Sequence, residues 1–424
     1  MLTALEWLLC IGTVSALAHR VCERPAHATA AIVIALAAPV LAFQVASAKE
    51  DLLLLAATAA TALSLTGTTR TELAMAGMFA GIAAGAKYPG VLIVAGACAW
   101  PLVARGKDGV KEAAIVAICA TTTGGLCYGL NLWRYANPVA PFFAGAHGTP
   151  LDASVARDFL DAYGGGKGPV MFILAPVAVF AESSAFGGRA ALYNPAAYAG
   201  LLAWFMPAVR RRHGPLLFTA AVIYVGWFLT LQNARLLLPA VVLLAPAAAD
   251  VIVPIIGRGR SLQWLAAAAA GISIGVVGAV GVLRVSRYFT DGPSFLAQET
   301  QNYADIQWMN THLDRRRARI ASDHKVLGYL EVPWLVLDPT RQLEISAAEL
   351  GGDSERFLDA CRRSGITHLF GGGSSFPNLQ SHLRAIYHNP SSRLGGVRFF
   401  RQPPTESTAV FEIVYGDAPQ PWLQ

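Results

Sequence analysis

The chain has 424 residues, of which 54% are apolar and 14% charged, with a formal net charge of +6 and a mean hydropathy of +0.45. A soluble globular protein carries about 25% charged residues, so this chain lacks the polar surface that water requires. The composition excludes a disordered chain, a secreted disulfide scaffold and an ordinary cytosolic enzyme, and reads as a polytopic membrane protein.

Basic residues fall in short loops between apolar runs, a distribution that sets orientation in a bilayer and calls for no nucleic-acid partner. Membrane lipids are the partners it implies. The six cysteines have neither disulfide nor zinc spacing and read as small hydrophobes.

A spanning helix needs ~20 mostly apolar residues. Candidate spans are 2–18, 28–48, 51–66, 113–130, 192–209, 215–231, 235–256 and 262–283. The stretch 73–103 is too long for one span and too short for two, with Lys87 at its centre followed by Tyr88, Pro89 and Gly90. Two short helices meeting at a break are expected there; irregular backbone at membrane depth needs protein or a watery cavity around it. Segment 169–182 is apolar but short and is expected to be re-entrant or interfacial.

Loops carrying His19-Arg20 with Arg24, Arg70, Arg105-Lys107-Lys111, Arg210-Arg211-Arg212 and Arg258-Arg260 alternate with loops poor in basic residues. The positive-inside rule makes these five cytoplasmic. The loops around Lys49-Glu50-Asp51, Lys87-Tyr88, 131–168 and Gln232–Arg235 then face outward, with Met1.

Near residue 285 the composition changes. Charged residues rise and no later run is long enough to span a bilayer. The expected domains are a multi-pass membrane domain, 1–284, and a soluble extracytoplasmic α/β domain, 285–424. In the second, 298–313, SERFLDACRRSG and NLQSHLRAIYHN read as helices. ARIAS, WLVLD and ITHLFGG read as buried strands, and VRFFR with AVFEIV is expected to close the sheet.

Ionisable residues at membrane depth suggest function by default. Lys49-Glu50-Asp51 reads as a solvated hairpin tip or as an acidic group at an outward cavity. Lys87, flanked by about a dozen apolar residues each way, is poorly explained by snorkelling alone. Asn137-Pro138-Val139-Ala140-Pro141-Phe142-Phe143 forms a stiff loop that either anchors the interface or contacts substrate. Arg235 opens an apolar helix, where its planar fork suits a phosphate, with lipid headgroup contact as the alternative. Glu182 ends an apolar run, while Asp152, Asp158 and Asp161 read as loop charges. Gly164–Gly168 lacks the spacing and the Ser/Thr of a P-loop and reads as a flexible loop. His368 reads as a packed histidine rather than a ligand. Outward acids with outward cations suit an acceptor hydroxyl and a phosphate leaving group.

In order and spacing, AFQVASAKEDLLLLAATAATALSLTG, AGMFAGIAAGAKYPGVLIVAGACAW, NPVAPFF and QNARLLLPAVVLLAP resemble the GT-C glycosyltransferases. The resemblance is to the branch holding protein O-mannosyltransferases and the lipid A aminoarabinose transferase. It covers most of 1–285, and the tail is similar to the extracytoplasmic domain of many bacterial members. It implies a GT-C-like polytopic α-helical membrane protein in the plasma membrane, with the C-terminal α/β domain extracytoplasmic. The implied activity is transfer of a sugar from a polyprenyl-phosphate donor to a cell-envelope acceptor at the outer face. Residue by residue, Glu50 or Asp51 matches the family's acidic position as acceptor or base contact. Lys87 and Arg235 match the donor-phosphate cations, and Tyr88, Asn137, Pro138 and Glu182 fall in the substrate loops.

Met1 falls about where the family's second helix begins, so the first helix and its acid-bearing outward loop have no counterpart. The expectation is a chain truncated at its start, or a divergent member whose base is Glu50, Asp51 or Glu182. No metal site is visible, although an acid-rich outward cavity suits a divalent cation. The other readings are a transporter or lipid flippase, since broken helices with a midplane charge are also a transporter device, and a non-catalytic partner subunit of a glycosyltransferase.

Overall fold

The computed structural model describes residues 2–38, 41, 51–139, 163–182, 185–187, 194–261, scattered positions over 263–290, and 291–300. In the C-terminal part it describes 302–323, 327, 329–337, 345, 353–372, 376–393 and 405–415. The chain divides into two compact units, Met1–Ala140 with Arg157–Leu283, and Pro141–Ala156 with Arg284–Gln424.

The first unit is helical. Its helices are α1 (Leu2–Val21), α2 (Pro25–Leu36), α3 (Asp51–Leu65), α4 (Arg70–Ala86), α5 (Gly90–Arg105) and α6 (Val110–Tyr135). They are followed by α7 (Pro169–Ala181), a 3₁₀ helix (Pro195–Phe205), α8 (Pro207–Arg212), α9 (Gly214–Leu229) and α10 (Leu238–Ile256). Among the described residues, Gly90–Trp133 and Ala234–Ile256 are long and apolar enough to cross a membrane by length and composition. Shorter apolar helices include α2, α3, α7 and α9.

Helix α10 forms the core, with every residue from Leu238 to Val251 buried, the pattern of a helix apolar on all sides. Helix α3 is almost as deeply buried, and its threonines are satisfied within the helix. Thr58 and Thr61 donate to the carbonyls of Leu54 (2.7 Å) and Ala57 (2.8 Å), so neither hydroxyl is left bare in an apolar surround.

Helix directions give the unit two chemically distinct ends. Gly77 lies against Val116 and Cys119, and Gly81 against Ala120 and Thr123. Tyr128 Oη donates to the Ala84 carbonyl at 2.8 Å. Helices α4 and α6 are therefore parallel. Gly96 lies against Thr219, while Trp100 meets Gly214 and Leu92 meets Gly226, so α5 and α9 are antiparallel. Asp51, Lys87-Tyr88, the end of α6 and Gln232–Arg235 consequently share one end, called here the lysine end.

The opposite end gathers basic loops. Arg20 reaches Glu72 at 3.8 Å, Arg105 pairs with Glu112, and Arg212 pairs with Glu23. Asp250, near the end of α10, is the hub. His27 Nδ1 lies 2.6 Å from its Oδ1, while His213 Nε2 and Arg212 Nη1 lie 2.9 and 2.8 Å from its Oδ2. This network ties α2, α8, α9 and α10 together.

Segment α7 does not pass from one end to the other. The Gly164 N–H donates to the Ala185 carbonyl at 2.7 Å, so the chain on either side of α7 is joined. The Ala234 N–H donates to Phe186 O (2.8 Å), and Gln232 Nε2 donates to Gly166 O (3.0 Å). Both flanks are thereby fixed at the lysine end, as a re-entrant or interfacial piece requires. The glycine run 164–168, expected to be a loose loop, is tied into the fold by these bonds.

The span expected at 192–209 differs from a regular α-helix. It is an eleven-residue 3₁₀ helix followed by α8. At roughly 2.0 Å rise per residue a 3₁₀ helix of this length covers about 22 Å. The prolines at 195 and 207 mark its two ends, and Gly200 lies against the Leu244 carbonyl of α10, a contact too close for a side chain. The ends of candidate spans 28–48 and 262–283 extend outside the described residues.

The second unit is α/β. It holds α11 (Gly292–Glu299), α12 (Tyr303–His312), β1 (Ile320–Ser322), β2 (Trp334–Val336), α13 (Ser354–Arg363), β3 (His368–Gly372), β4 (Leu383–Arg393) and β5 (Thr405–Ile413). Strand order is β2-β1-β3-β5-β4. The β1–β2 and β1–β3 pairs are parallel, and the β3–β5 and β4–β5 pairs antiparallel. Side-chain alternation feeds two cores. Leu369 and Phe411 pack with Phe357 and Cys361 of α13, while Phe370 and Val410 pack with Ile306 and Met309 of α12. The expected helix NLQSHLRAIYHN is a correction: only 377–382 is helical, as a 3₁₀ turn, and 383–393 is strand β4. VRFFR lies outside the described residues.

Candidate functional site

The candidate site is at the lysine end and starts from the break after α4. The helix ends at Ala86, and Lys87 is in an extended conformation (φ −162°, ψ 145°). Gly90 restarts the helix because a side chain there would overlap the Ala83 carbonyl. The break leaves Lys87 directed at α3, where its ammonium pairs with the Asp51 carboxylate. Asp51 is 2% exposed and stands in the first turn of α3, where helix N–H groups favour a negative charge. Its Oδ2 is buried with no hydrogen-bond partner among the described residues. Lys87 is half-buried, so the pair presents its cationic member to the surface.

A seam of small residues fixes the break. Gly77, Gly81 and Gly85 recur every four residues on one face of α4, against Val116, Thr123 and Gly124 of α6. Thr123 Oγ1 donates to the Met78 carbonyl at 3.0 Å. Close backbone approach of this kind is how helices associate where no hydrophobic gradient separates them. Tyr88 sits edge-on to Tyr128, with ring centroids 6.1 Å apart.

The turn after α6 lies at the same end. Ala136 has φ +50° and terminates the helix. Asn137 is 1% exposed, and its Oδ1 accepts the Val139 N–H at 3.0 Å. Pro138 is exposed, and its carbonyl accepts from Asn131 Nδ2 at 3.3 Å.

Arg235 stands at the same end of the unit, just before α10. Asn233 Oδ1 accepts the Arg235 backbone N–H at 3.2 Å, and Trp227 Nε1 donates to the Asn233 carbonyl at 2.8 Å. These bonds hold the 3₁₀ turn Ala234–Leu237. Arg235 Nε is buried without a partner among the described residues, as is Gln232 Oε1. A buried guanidinium N–H is costly to leave unpaired, so the position suits an anion.

Of the residues expected from sequence, Asp51 and Lys87 are in contact. Tyr88 and Pro138 are joined through Asn131, and Arg235 shares their end of the unit. Glu182 is the exposed cap of α7, and its backbone bonds to Ala178 and Ala185. Glu50 lies outside the described residues, as do Asp152, Asp158 and Asp161. His368 is in β3, where Thr367 Oγ1 lies 2.7 Å from its Nδ1. Among the described residues no group of three or more His, Cys, Asp or Glu side chains is arranged to hold a metal ion.

Sequence reasoning missed Asn131 and the glycine seam. The four-residue glycine spacing was a readable signal; nothing in the sequence singled out Asn131.

No family profile matches the chain, and no curated protein matches it in sequence. Among solved structures it is similar to ArnT from Cupriavidus metallidurans bound to undecaprenyl phosphate. The TM-score is 0.55 at 14% identity, over 96% of this chain and 83% of that one. Weaker likenesses are to the arabinofuranosyltransferase AftD from Mycobacteria (TM-score 0.49, 14% identity, 98% and 34% covered). Another is to the oligosaccharyltransferase AglB from Archaeoglobus fulgidus in complex with an inhibitory peptide and a dolichol-phosphate (0.47, 11%, 91% and 61%). The chain thus shares its fold with the ArnT structure.

Proposed function

We propose that the chain is an integral membrane glycosyltransferase. It transfers a sugar from a polyprenyl-phosphate donor to a cell-envelope acceptor at the outer face of the plasma membrane. The observation that carries this reading is the chemistry of the lysine end. The Asp51–Lys87 pair and the unpartnered Arg235 Nε share it, opposite the loops rich in arginine. The positive-inside rule puts those arginine loops in the cytoplasm, so the lysine end faces out. The fold shared with a structure bound to undecaprenyl phosphate supports a lipid-phosphate carrier.

In this mechanism an acceptor hydroxyl attacks the anomeric carbon of the donor sugar, and its proton passes to the Asp51 carboxylate. The bond from that carbon to the carrier phosphate breaks as the new glycosidic bond forms. The departing polyprenyl phosphate carries away the negative charge, which Lys87 and Arg235 stabilise. Lys87, held by Asp51 before reaction, is already oriented when charge develops.

The test uses the purified full chain in sealed proteoliposomes with radiolabelled polyprenyl-phosphate sugars and delipidated cell-envelope fractions. Acceptor-dependent release of unglycosylated carrier is expected. Movement of the donor across the bilayer without cleavage would overturn the reading in favour of a flippase.

A further inference from the structure

Asn131 is the residue through which the two halves of the expected substrate loop meet. It lies on α6, one helical turn beyond Tyr128. Its Nδ2 donates to the Tyr88 hydroxyl at 3.0 Å and to the Pro138 carbonyl at 3.3 Å. Tyr88 follows Lys87 directly, and Pro138 begins the turn held by Asn137. One amide group thus bridges the break after α4 and the turn after α6, two segments 43 and 7 residues away in sequence.

The surrounding geometry makes the bridge specific. Tyr128 and Asn131 are three residues apart and present the same face of α6 to the end of α4. Tyr128 grips the Ala84 carbonyl, which belongs to the last turn of the helix. Asn131 grips the first side chain beyond Lys87. The α4–α6 seam is already secured by the glycine contacts and by Thr123, so the Asn131 bonds are not needed to join the helices. What they fix is the Tyr88 ring and the position of the Pro138 carbonyl.

We propose that Asn131 is a positioning residue for the donor, setting Tyr88 and the Asn137–Pro138 turn in register beside Lys87. This rests on the glycosyltransferase reading above. The Asn131 side chain bonds to Tyr88 and Pro138 and acts on Lys87 and Asp51 through them. The Pro138 carbonyl can only accept, whereas the Tyr88 hydroxyl can donate as well as accept, so an apolar leucine of similar shape is the replacement that removes both bonds.

Asn131→Leu in the full chain tests this. Donor KM should rise about tenfold while kcat changes less than twofold, the signature of lost ground-state positioning. A variant that only loosened the fold would instead lower the active fraction, and so kcat, at unchanged KM. Tyr88→Phe combined with Asn131→Leu should be little worse than Asn131→Leu alone, because the bond to Tyr88 is already lost. Unchanged KM in Asn131→Leu, or fully additive effects in the double variant, would overturn the proposal. A second readout needs no turnover: 3-fluorotyrosine at position 88 should show a shifted or broadened ¹⁹F line in Asn131→Leu. A wild type without transfer sinks the glycosyltransferase reading, while an unmoved ¹⁹F line sinks the role of Asn131.

Discussion

Lys87 and Asp51 form an ion pair between the broken end of α4 and the first turn of α3, with the carboxylate 2% exposed and the lysine half-buried. The pair joins segments 36 residues apart and leaves one Asp51 oxygen without a partner among the described residues. Removing one member of a buried pair strands the other charge, at a cost of about 3 kcal/mol. Asp51→Asn should therefore lose both stability and transfer, the latter by ~100-fold or more if the carboxylate is the base. The Lys87→Ala, Asp51→Ala double variant should regain stability but not activity. Thermal melting beside turnover separates the two effects; wild-type turnover in Asp51→Asn would remove the carboxylate from the chemistry.

The glycine seam should be intolerant of volume. A side chain at Gly81 meets Thr123 and the Ala120 backbone, so Gly81→Leu should destabilise the first unit by about 2 kcal/mol or more. Gly12, with nothing within 4 Å of a modest side chain, is the control. Gly12→Leu should melt as the wild type does. Equal melting of both variants would mean that α4 and α6 do not pack as described.

The bond between Gly164 and Ala185 makes a topological prediction. In a cysteine-free background, Gly168→Cys and Glu182→Cys should react with an impermeant maleimide from the same side of sealed vesicles. Lys107→Cys, at the arginine end, should react only from the other side. Labelling of positions 168 and 182 from opposite sides would show that α7 crosses.

In the second unit, burial in β3 pushes the His368 imidazole below its ordinary value, with Glu412 opposing more weakly. The unfolded chain therefore binds the proton at higher pH than the folded one. Stability contributed by this group is complete above about pH 6.5 and is lost as pH falls toward the lower folded value. Tryptophan-monitored denaturation, with Trp308 and Trp334 in this unit, should show that loss between pH 7.5 and 5.5. His368→Gln should flatten it, and an unchanged slope would assign the dependence elsewhere.

Much of the architecture was legible because apolar runs and their interruptions report burial directly. Lys87-Tyr88-Pro89-Gly90 marked the α4–α5 break, since a lysine inside an apolar run and a proline beside a glycine both resist a continuous helix. The basic loops foretold which termini share an end. Strand β4 was not legible. Leu379, Leu383 and Ile386 recur at helical spacing, and pairing with β5 overrides that local pattern. The 3₁₀ helix was hidden for a similar reason, because its apolar content matches an α-helical span while contact with α10 sets its winding. The Asp250 network joins residues 223 and 37 positions apart, a distance over which one sequence carries no pairing signal. Asn131 was invisible because its importance lies in Tyr88 and Pro138, not in itself.

The central claim is that Lys87 and Arg235 receive the carrier phosphate, and carrier release by paired variants tests it most directly. Acceptor-dependent release of polyprenyl phosphate should fall ~100-fold or more in both Lys87→Ala and Arg235→Ala, with Arg235→Ala melting near the wild type. Lys87→Ala should be read alongside the Asp51 double variant to remove the effect of the stranded charge. Release at the wild-type rate in both single variants would contradict the account and move the phosphate site elsewhere.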